Sequence, residues 1–317
     1  MFKKTLAAVA VGMLALGAQA AEFTSGDVAF QVNLDAQAEV LQTKASSSDS
    51  MTFNGAGQFQ LKATKKVNDD LSVFGQLELD FDSVVDNATA LSDDMKIGLS
   101  SKSLGSIQFG QYDSYMEDNI AEALGYFNPA NADVKVSEPS IGGRGRQIQF
   151  MRKVGDFTGV VAISSSNALS ATGDISWGNS VVLGYQSGPL RAYIGTNTRP
   201  THVSDTFALD TTKSNVGASV YYTFGSATTV SALTMTTTST SNVDTKRNGL
   251  AVYHVMGDFD MAAAIQQKSV GTTSTSEYTL HGGYTVTKGT KFYVGVLNLG
   301  ATNGVGDLIA VGYTTSF

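Results

Sequence analysis

Residues 113–127 read DSYMEDNIAEALGYF and place four carboxylates, Asp113, Glu117, Asp118 and Glu122, within ten positions. Carboxylates this close can exchange protons as general acid and base, or build a negative potential that attracts cations and repels anions. Acid–base chemistry needs a partner beside a nucleophile or a water. The three histidines, His202, His254 and His281, are scattered and lie in no catalytic motif, with His254 and His281 on expected polar strand faces. The sequence contains no HExxH, no EF-hand spacing and no phosphate-loop glycines. It has no cysteine, which removes thiolate catalysis, cysteine metal sites and disulfides. No cofactor or metal is therefore expected, and no enzyme activity. The electrostatic use remains, provided that the carboxylates share one side of an ordered element.

The spacing supplies such an element. Ser114 stands three residues before Glu117, as in a capping box. At about 100° per residue, Met116, Ile120, Ala123, Leu124 and Phe127 share one stripe, and Glu117, Asp118 and Glu122 lie opposite. Taken alone, this is an ordinary amphipathic helix on a wet surface. Its surroundings decide its use.

Those surroundings alternate with period two. From Asp27 to Leu41, Val28, Phe30, Val32, Leu34, Ala36, Ala38 and Val40 point one way, while Gln31, Asn33, Asp35, Gln37 and Glu39 point the other. Residues 70–82 repeat the pattern, with Gln76, Glu78 and Asp80 on the wet face, as do 215–224 and 277–287. Tight-turn signals fall at VNDD 67, SLGS 103, VGD 154, SGP 187, FGSA 224, MGD 256 and TKG 287. Longer polar connections alternate with them, at 43–51, 83–93, 113–144, 165–173, 199–212, 238–247, 271–276 and 301–306. All four prolines lie in connections, as hydrogen-bonded strands require. Seven short turns and eight long connections separate sixteen strands.

An even set of tilted antiparallel strands, with short turns at one end and long loops at the other, predicts an all-β, 16-stranded transmembrane barrel. Phe157, Phe224, Phe259 and Phe292 beside the short turns would form its aromatic girdle. A soluble β-sandwich or propeller has the same alternation with the apolar face packed inward, and period two alone does not separate the two.

The ends of the chain favour the membrane. Lys3 and Lys4, an apolar run from Leu6 to Leu16 and Ala18-Gln19-Ala20 read as a signal peptide over 1–20, leaving 21–317 as the barrel domain. Without those two lysines, 19 Lys and Arg stand against 28 Asp and Glu, a net charge of −9 that argues against a nucleic-acid partner. The last residues, DLIAVGYTTSF, put Ile309, Val311, Tyr313, Thr315 and Phe317 on one face. This resembles the signal that outer-membrane barrels present to their insertion machinery.

The stretch MKIGLSSKSLGSIQFGQYDS, residues 95–114, resembles the general bacterial porins of Gram-negative outer membranes: a "GLKG" strand, a "GS/GT" turn and a second strand ending in "GR". Tyr253 before the MGD turn and the terminal aromatic strand also fit. The resemblance covers the whole mature chain. It implies an outer-membrane, usually trimeric diffusion channel, hence a homotrimer among lipid and lipopolysaccharide that passes ions and small hydrophilic solutes.

It further implies that the third long connection, 113–144, folds into the barrel and carries the short helix, so that Asp113, Glu117, Asp118 and Glu122 line the constriction. In the family, arginines on the facing wall oppose this acidic loop. Here the matching positions fall on Gln58, near Asp93, near Gln149 and on Gln111, with Lys62 retained. The basic candidates left are Lys62, Lys96, Arg144, Arg146 and Lys153, with Arg152 nearby. An intact acidic loop before a depleted basic wall predicts cation preference. The alternative is a sugar-specific porin, with Phe74, Tyr112, Tyr115, Tyr126 and Tyr221 as lumen aromatics and Trp177 in or after the fourth loop.

Overall fold

The computed structural model describes residues 21–45, 49–82, 90–125, 145–165, 177–198, 212–298 and 305–316. A short strand β1 (Ala21–Ser25) turns back on β2 (Val28–Ala45). There follow β3 (Asp49–Lys66), β4 (Leu71–Asp82), β5 (Ala90–Ser101), β6 (Gly105–Tyr112), β7 (Gly145–Val154), β8 (Phe157–Ser165) and β9 (Trp177–Ser187). The second half comprises β10 (Leu190–Thr198), β11 (Thr212–Phe224), β12 (Thr228–Ser239), β13 (Asp244–Met256), β14 (Phe259–Val270), β15 (Thr273–Thr287), β16 (Thr290–Asn298) and β17 (Val305–Ser316).

Each strand from β2 to β17 pairs antiparallel with the next, and β17 pairs back onto β2, with Val311 opposite Val40. Sixteen strands thus close into a barrel. β1 lies along the same edge of β2 as β17, with Ala21 opposite Val32 and Ser316 opposite Asp35. Closure leaves the ladder's N–H and C=O groups paired, which a hydrocarbon environment demands.

Side-chain direction excludes a soluble sandwich. Over 177–184 of β9 and 259–267 of β14, buried and exposed residues alternate one by one, and the exposed ones include Val181, Leu183, Met261 and Ile265. The buried ones include Ser180, Asp260 and Gln266. The apolar face points out and the polar face in, the inverse of a water-soluble core. Phe157, Phe224, Phe259 and Phe292 all point outward beside the short turns. Each packs on a tyrosine, namely Tyr185, Tyr222, Tyr284 and Tyr313, with ring centroids 4.6–5.5 Å apart. This is the expected girdle.

The seven short turns lie where the sequence places them. In two of them Gly155 and Gly257 adopt φ of 58° and 62°, a left-handed conformation that a two-residue reversal requires and a Cβ disfavours. The two longer connections whose residues are all described are tighter than expected. The β14–β15 link is the two-residue turn Gly271–Thr272 rather than 271–276, and the β12–β13 link spans 240–243 rather than 238–247. The Ser and Thr residues there read as loop by polarity. They extend the ladder instead, where backbone pairing and the β-propensity of Thr outweigh hydropathy.

Residues 1–20 lie outside the described residues, as do 126–144, including Tyr126, Phe127 and Arg144.

The constriction and its seat

β6 is only eight residues long, so the chain leaves the wall early and enters the lumen. Ser114 caps helix α1 (Tyr115–Asn119), its Oγ accepting from the Glu117 backbone N–H at 3.2 Å. A turn of 3-10 helix, Ala121–Leu124, follows and ends at Gly125. The amphipathic stripe is therefore divided between two short helical pieces rather than one helix over 115–127. Its apolar side is nonetheless the expected one. Met116, Ile120, Ala121, Ala123 and Leu124 are buried against Val160, Val182, Tyr193, Tyr221, Leu233, Met235, Ala251 and Ala264 of the β8–β14 wall.

Three glycines shape that seat. A Cβ at Gly195 or Gly217 would lie 3.2 Å or 3.0 Å from Ile120, and one at Gly249 would collide with Leu124 Cδ1. The wall is notched where the two largest aliphatic side chains of the loop enter it. Hydroxyls then hold the loop's carbonyls. Ser219 Oγ and Tyr221 OH donate to the Asn119 carbonyl at 2.6 Å and 3.0 Å, and Ser231 Oγ donates to that of Ala123. Burying Met116, Ile120 and Leu124 contributes roughly 5–9 kcal/mol, and each hydrogen bond adds about 1 kcal/mol. A loop held this way is fixed against the inner wall.

With its apolar side seated, the loop turns its carboxylates toward the β4–β5 wall. That wall is itself acidic. Asp94 accepts a hydrogen bond from the Asp113 backbone N–H and pairs with Lys96 at 3.0 Å. The Lys96 ammonium also lies 5.2 Å from the centroid of the Tyr112 ring. One strand further, Glu78 accepts amide N–H groups from Gln58 at 2.8 Å and Gln60 at 2.7 Å, and Asn33 donates to Gln60 Oε1 at 2.9 Å. Gln58 is a position where the family's basic wall was expected. The amide there binds a carboxylate instead of adding positive charge.

The crowding shows in the loop's own ionisation. Burial, then Asp94, Asp118, Glu122 and Glu78, raise the Asp113 carboxyl to about 7. Burial outweighs the attraction of Lys96 to raise Asp118 to about 6, although its tip meets lumen water, because protein surrounds that water on all sides. Both groups gain negative charge as pH rises through 6 and 7. Ion selectivity should therefore shift toward cations from pH 5 to pH 8 with a midpoint between 6 and 7, read as a shift in zero-current potential under a salt gradient. A pH-independent potential across that range would contradict this ionisation.

The basic candidates disperse. Lys96 stands beside the loop's carboxylates, paired with Asp94 and close enough to Asp118 to favour its charged form. Lys62 shares the lumen face of Gln58 and Gln60 and lies one pleat closer to the short turn, opposite Gln76. Lys153 shares the lumen face of Gln147 and Gln149 but sits at the turn end of β7. Arg146 is a correction: it alternates with the buried Gln147 and shares the outward face of Ile148 and Phe150, as does Arg152. It follows the strand's parity, which motif matching alone did not track. His254 is corrected likewise, since it lies on the outward face with Leu250 and Val252 and contacts Thr228 at 2.8 Å.

His281 does face inward. Its Nε2 is 2.7 Å from Asp260 Oδ1, and Lys291 lies 2.5 Å from Oδ2 of the same carboxylate. The expected aromatics Tyr115 and Tyr221 serve the seat, each packed edge-on against Tyr193. Trp177 opens β9 and points outward. Glu78 and Asp94 are the residues that motif reasoning missed as site members. The wet face of 70–82 was the available signal for Glu78, but nothing in the sequence gave its height in the barrel. Among the described residues, no three His, Cys, Asp or Glu side chains group to hold a metal ion.

A closed sixteen-stranded barrel with an apolar outer face, a polar interior and a loop fixed across its lumen defines a transmembrane channel. The sequence profile of the Gram-negative porin family matches residues 5–304. The chain belongs to that family, whose members are outer-membrane channels rather than enzymes.

Solved porin structures share the fold. The Salmonella typhi OmpF complex with daunomycin superimposes with a TM-score of 0.75 at 13% identity, covering 94% of this chain and 100% of that one. Two variants of the Rhodopseudomonas blastica porin give TM-scores of 0.71 and 0.69 at 10% and 12% identity, each covering 91% of this chain and 100% of their own. No curated protein sequence matches significantly.

Proposed function

We propose that the protein is a general diffusion porin of the outer membrane that prefers cations while passing ions and small hydrophilic solutes. One observation carries the preference. Asp113, Asp118 and Glu122 on the loop meet Glu78 and Asp94 on the wall, with Lys96 as the cation among them and paired to Asp94. In a narrow passage walled by low-dielectric protein, such a surplus raises the local concentration of cations. The seat of the loop speaks against a sugar-specific channel, since Tyr115, Tyr193 and Tyr221 pack beneath the loop instead of forming a track along the open lumen.

An export signal over residues 1–20 and a homotrimer in contact with lipopolysaccharide complete this reading, supported by the leader-like sequence and the porin resemblance. The deciding measurement is the reversal potential of single channels in a planar bilayer under a tenfold KCl gradient. A potential of the sign set by K⁺ supports the proposal. One set by Cl⁻ overturns it.

A further inference from the structure

Two cations of β7 face away from the pore. Arg146 and Arg152 lie on the outward face of the strand, with Ile148 and Phe150 between them. Arg146 is exposed and forms no ion pair among the described residues. Strand pairing places it at an edge of the apolar band. Gln111 of β6 lies opposite it on one side and Ser165 of β8 on the other, and Ser165 in turn faces Trp177 of β9. One pleat toward the short turns the same face reads Phe109, Ile148, Ile163 and Asn179, and one pleat further it reads Ile107, Phe150, Val161 and Val181. The outer wall thus turns from apolar to polar at the row of Arg146, on the long-loop side. Trp177 fits that level, since indole rings favour the membrane–water interface. The charge on this face has one sign. Among the described residues, the outward positions of β6–β10 hold two arginines and no Asp or Glu. Asp156 lies in the β7–β8 turn at the far end of the strand from Arg146, and Asp113 turns into the lumen toward Asp94. Asp244 and Asp307 face outward too, but on β13 and β17.

We propose that Arg146 binds a phosphate of lipopolysaccharide in the outer leaflet, with the Trp177 indole flanking the sugar that carries it. The proposal rests on the reading that the channel stands in contact with lipopolysaccharide, and gives that contact a place. Long loops stand outside the cell in such barrels, so the row of Arg146 meets the outer leaflet, whose glycolipid bears phosphates on sugar rings. A guanidinium lays its stem along the apolar wall and presents a planar fork that matches phosphate oxygens. The backbones of Arg146 and Trp177 lie two strand spacings apart, about 10 Å. The small Ser165 between them leaves room for one sugar ring, to which the indole offers an apolar face. Where the barrel presents carboxylates, a divalent cation must bridge them to a phosphate. At Arg146 the protein supplies the cation itself, so this contact does not need one. Arg152 lies toward the short turns, where the inner leaflet supplies phospholipid instead.

The test uses Trp177, the one tryptophan of the chain, as its reporter. The channel is reconstituted in vesicles of brominated phosphatidylcholine, which quenches indole emission, with increasing mole fractions of lipopolysaccharide. Emission recovers as lipopolysaccharide replaces brominated lipid beside Trp177. The expected local enrichment over the bulk fraction is about fivefold, the effect of one cation at a charged membrane surface. It should persist in EDTA and in Arg152→Gln, and fall to about one in Arg146→Gln or with dephosphorylated lipopolysaccharide. Native mass spectrometry follows the lipopolysaccharide retained and the number of subunits. Retention without enrichment at Trp177 overturns the inference alone, as does enrichment that EDTA abolishes or that Arg146→Gln or dephosphorylation leaves unchanged. A channel that retains no lipopolysaccharide overturns the reading beneath it as well. Loss of the oligomer in Arg146→Gln would make this face a contact between subunits and overturn the lipid site.

Discussion

Replacing Ile120 and Leu124 together by glutamine releases the loop from the wall, and single-channel conductance rises by about half or more while ion preference falls. Both side chains are almost wholly buried, and they fill the notches made by Gly195, Gly217 and Gly249. Putting an amide into each notch removes most of the apolar transfer energy and buries a polar group without a designed partner, together costing about 4–8 kcal/mol. That matches or exceeds a large part of what holds the loop down. The barrel does not depend on these residues for its ladder, so it still closes. Gly217→Val tests the same contact from the wall side, since its Cβ alone would lie 3.0 Å from Ile120 and 3.1 Å from Met235. Unchanged conductance in a correctly inserted double variant would show that the described seat does not hold the narrowing in place.

The second large effect comes from charge. Asp113→Asn, Asp118→Asn and Glu122→Gln in one chain remove three carboxylates from the constriction and leave Glu78 and Asp94 facing Lys96. Each carboxylate contributes about 1 kcal/mol to the difference between a cation and an anion in the passage, about fivefold in their partition. The triple variant should therefore lose most of its cation preference, with little change in bore because the substituted side chains are nearly isosteric. Lys96→Met should move the reversal potential the other way. A triple variant with the wild-type reversal potential would place the selectivity elsewhere in the lumen.

Much of this molecule is legible in its sequence, for a physical reason. A barrel between lipid and water forces every strand to alternate, and tight reversals demand glycine, so strands β2–β17 and the seven short turns can be read from period and punctuation. The Ser- and Thr-rich strand ends beside the β12–β13 and β14–β15 links lack the apolar alternation, which is why 238–247 and 271–276 read as loops. The loop's stripe was legible because Met116, Ile120, Ala123 and Leu124 obey helical spacing even in a helix that breaks after Asn119. What sequence could not give is height and direction around the lumen. Arg146 and Gln147 are neighbours in the chain, yet one faces lipid and the other the pore. Glu78 and Asp94 join the constriction through strand tilt and register, which no local spacing encodes.

One pairing in the barrel differs in kind from the others. Neighbouring strands elsewhere are joined through a turn or a loop, but β17 meets β2 across most of the chain, Val311 against Val40, and β1 lies along that same edge. This seam has the largest loop-closure entropy to overcome and is expected to zip last. Until it forms, two bare strand edges carry unpaired N–H and C=O groups that hydrocarbon does not tolerate, each costing several kcal/mol. An open sheet is therefore a poor resident of the bilayer, and insertion and closure must proceed nearly together. Defects along the seam should slow assembly into the membrane while leaving the finished pore's conductance unchanged, whereas defects under the loop should do the reverse.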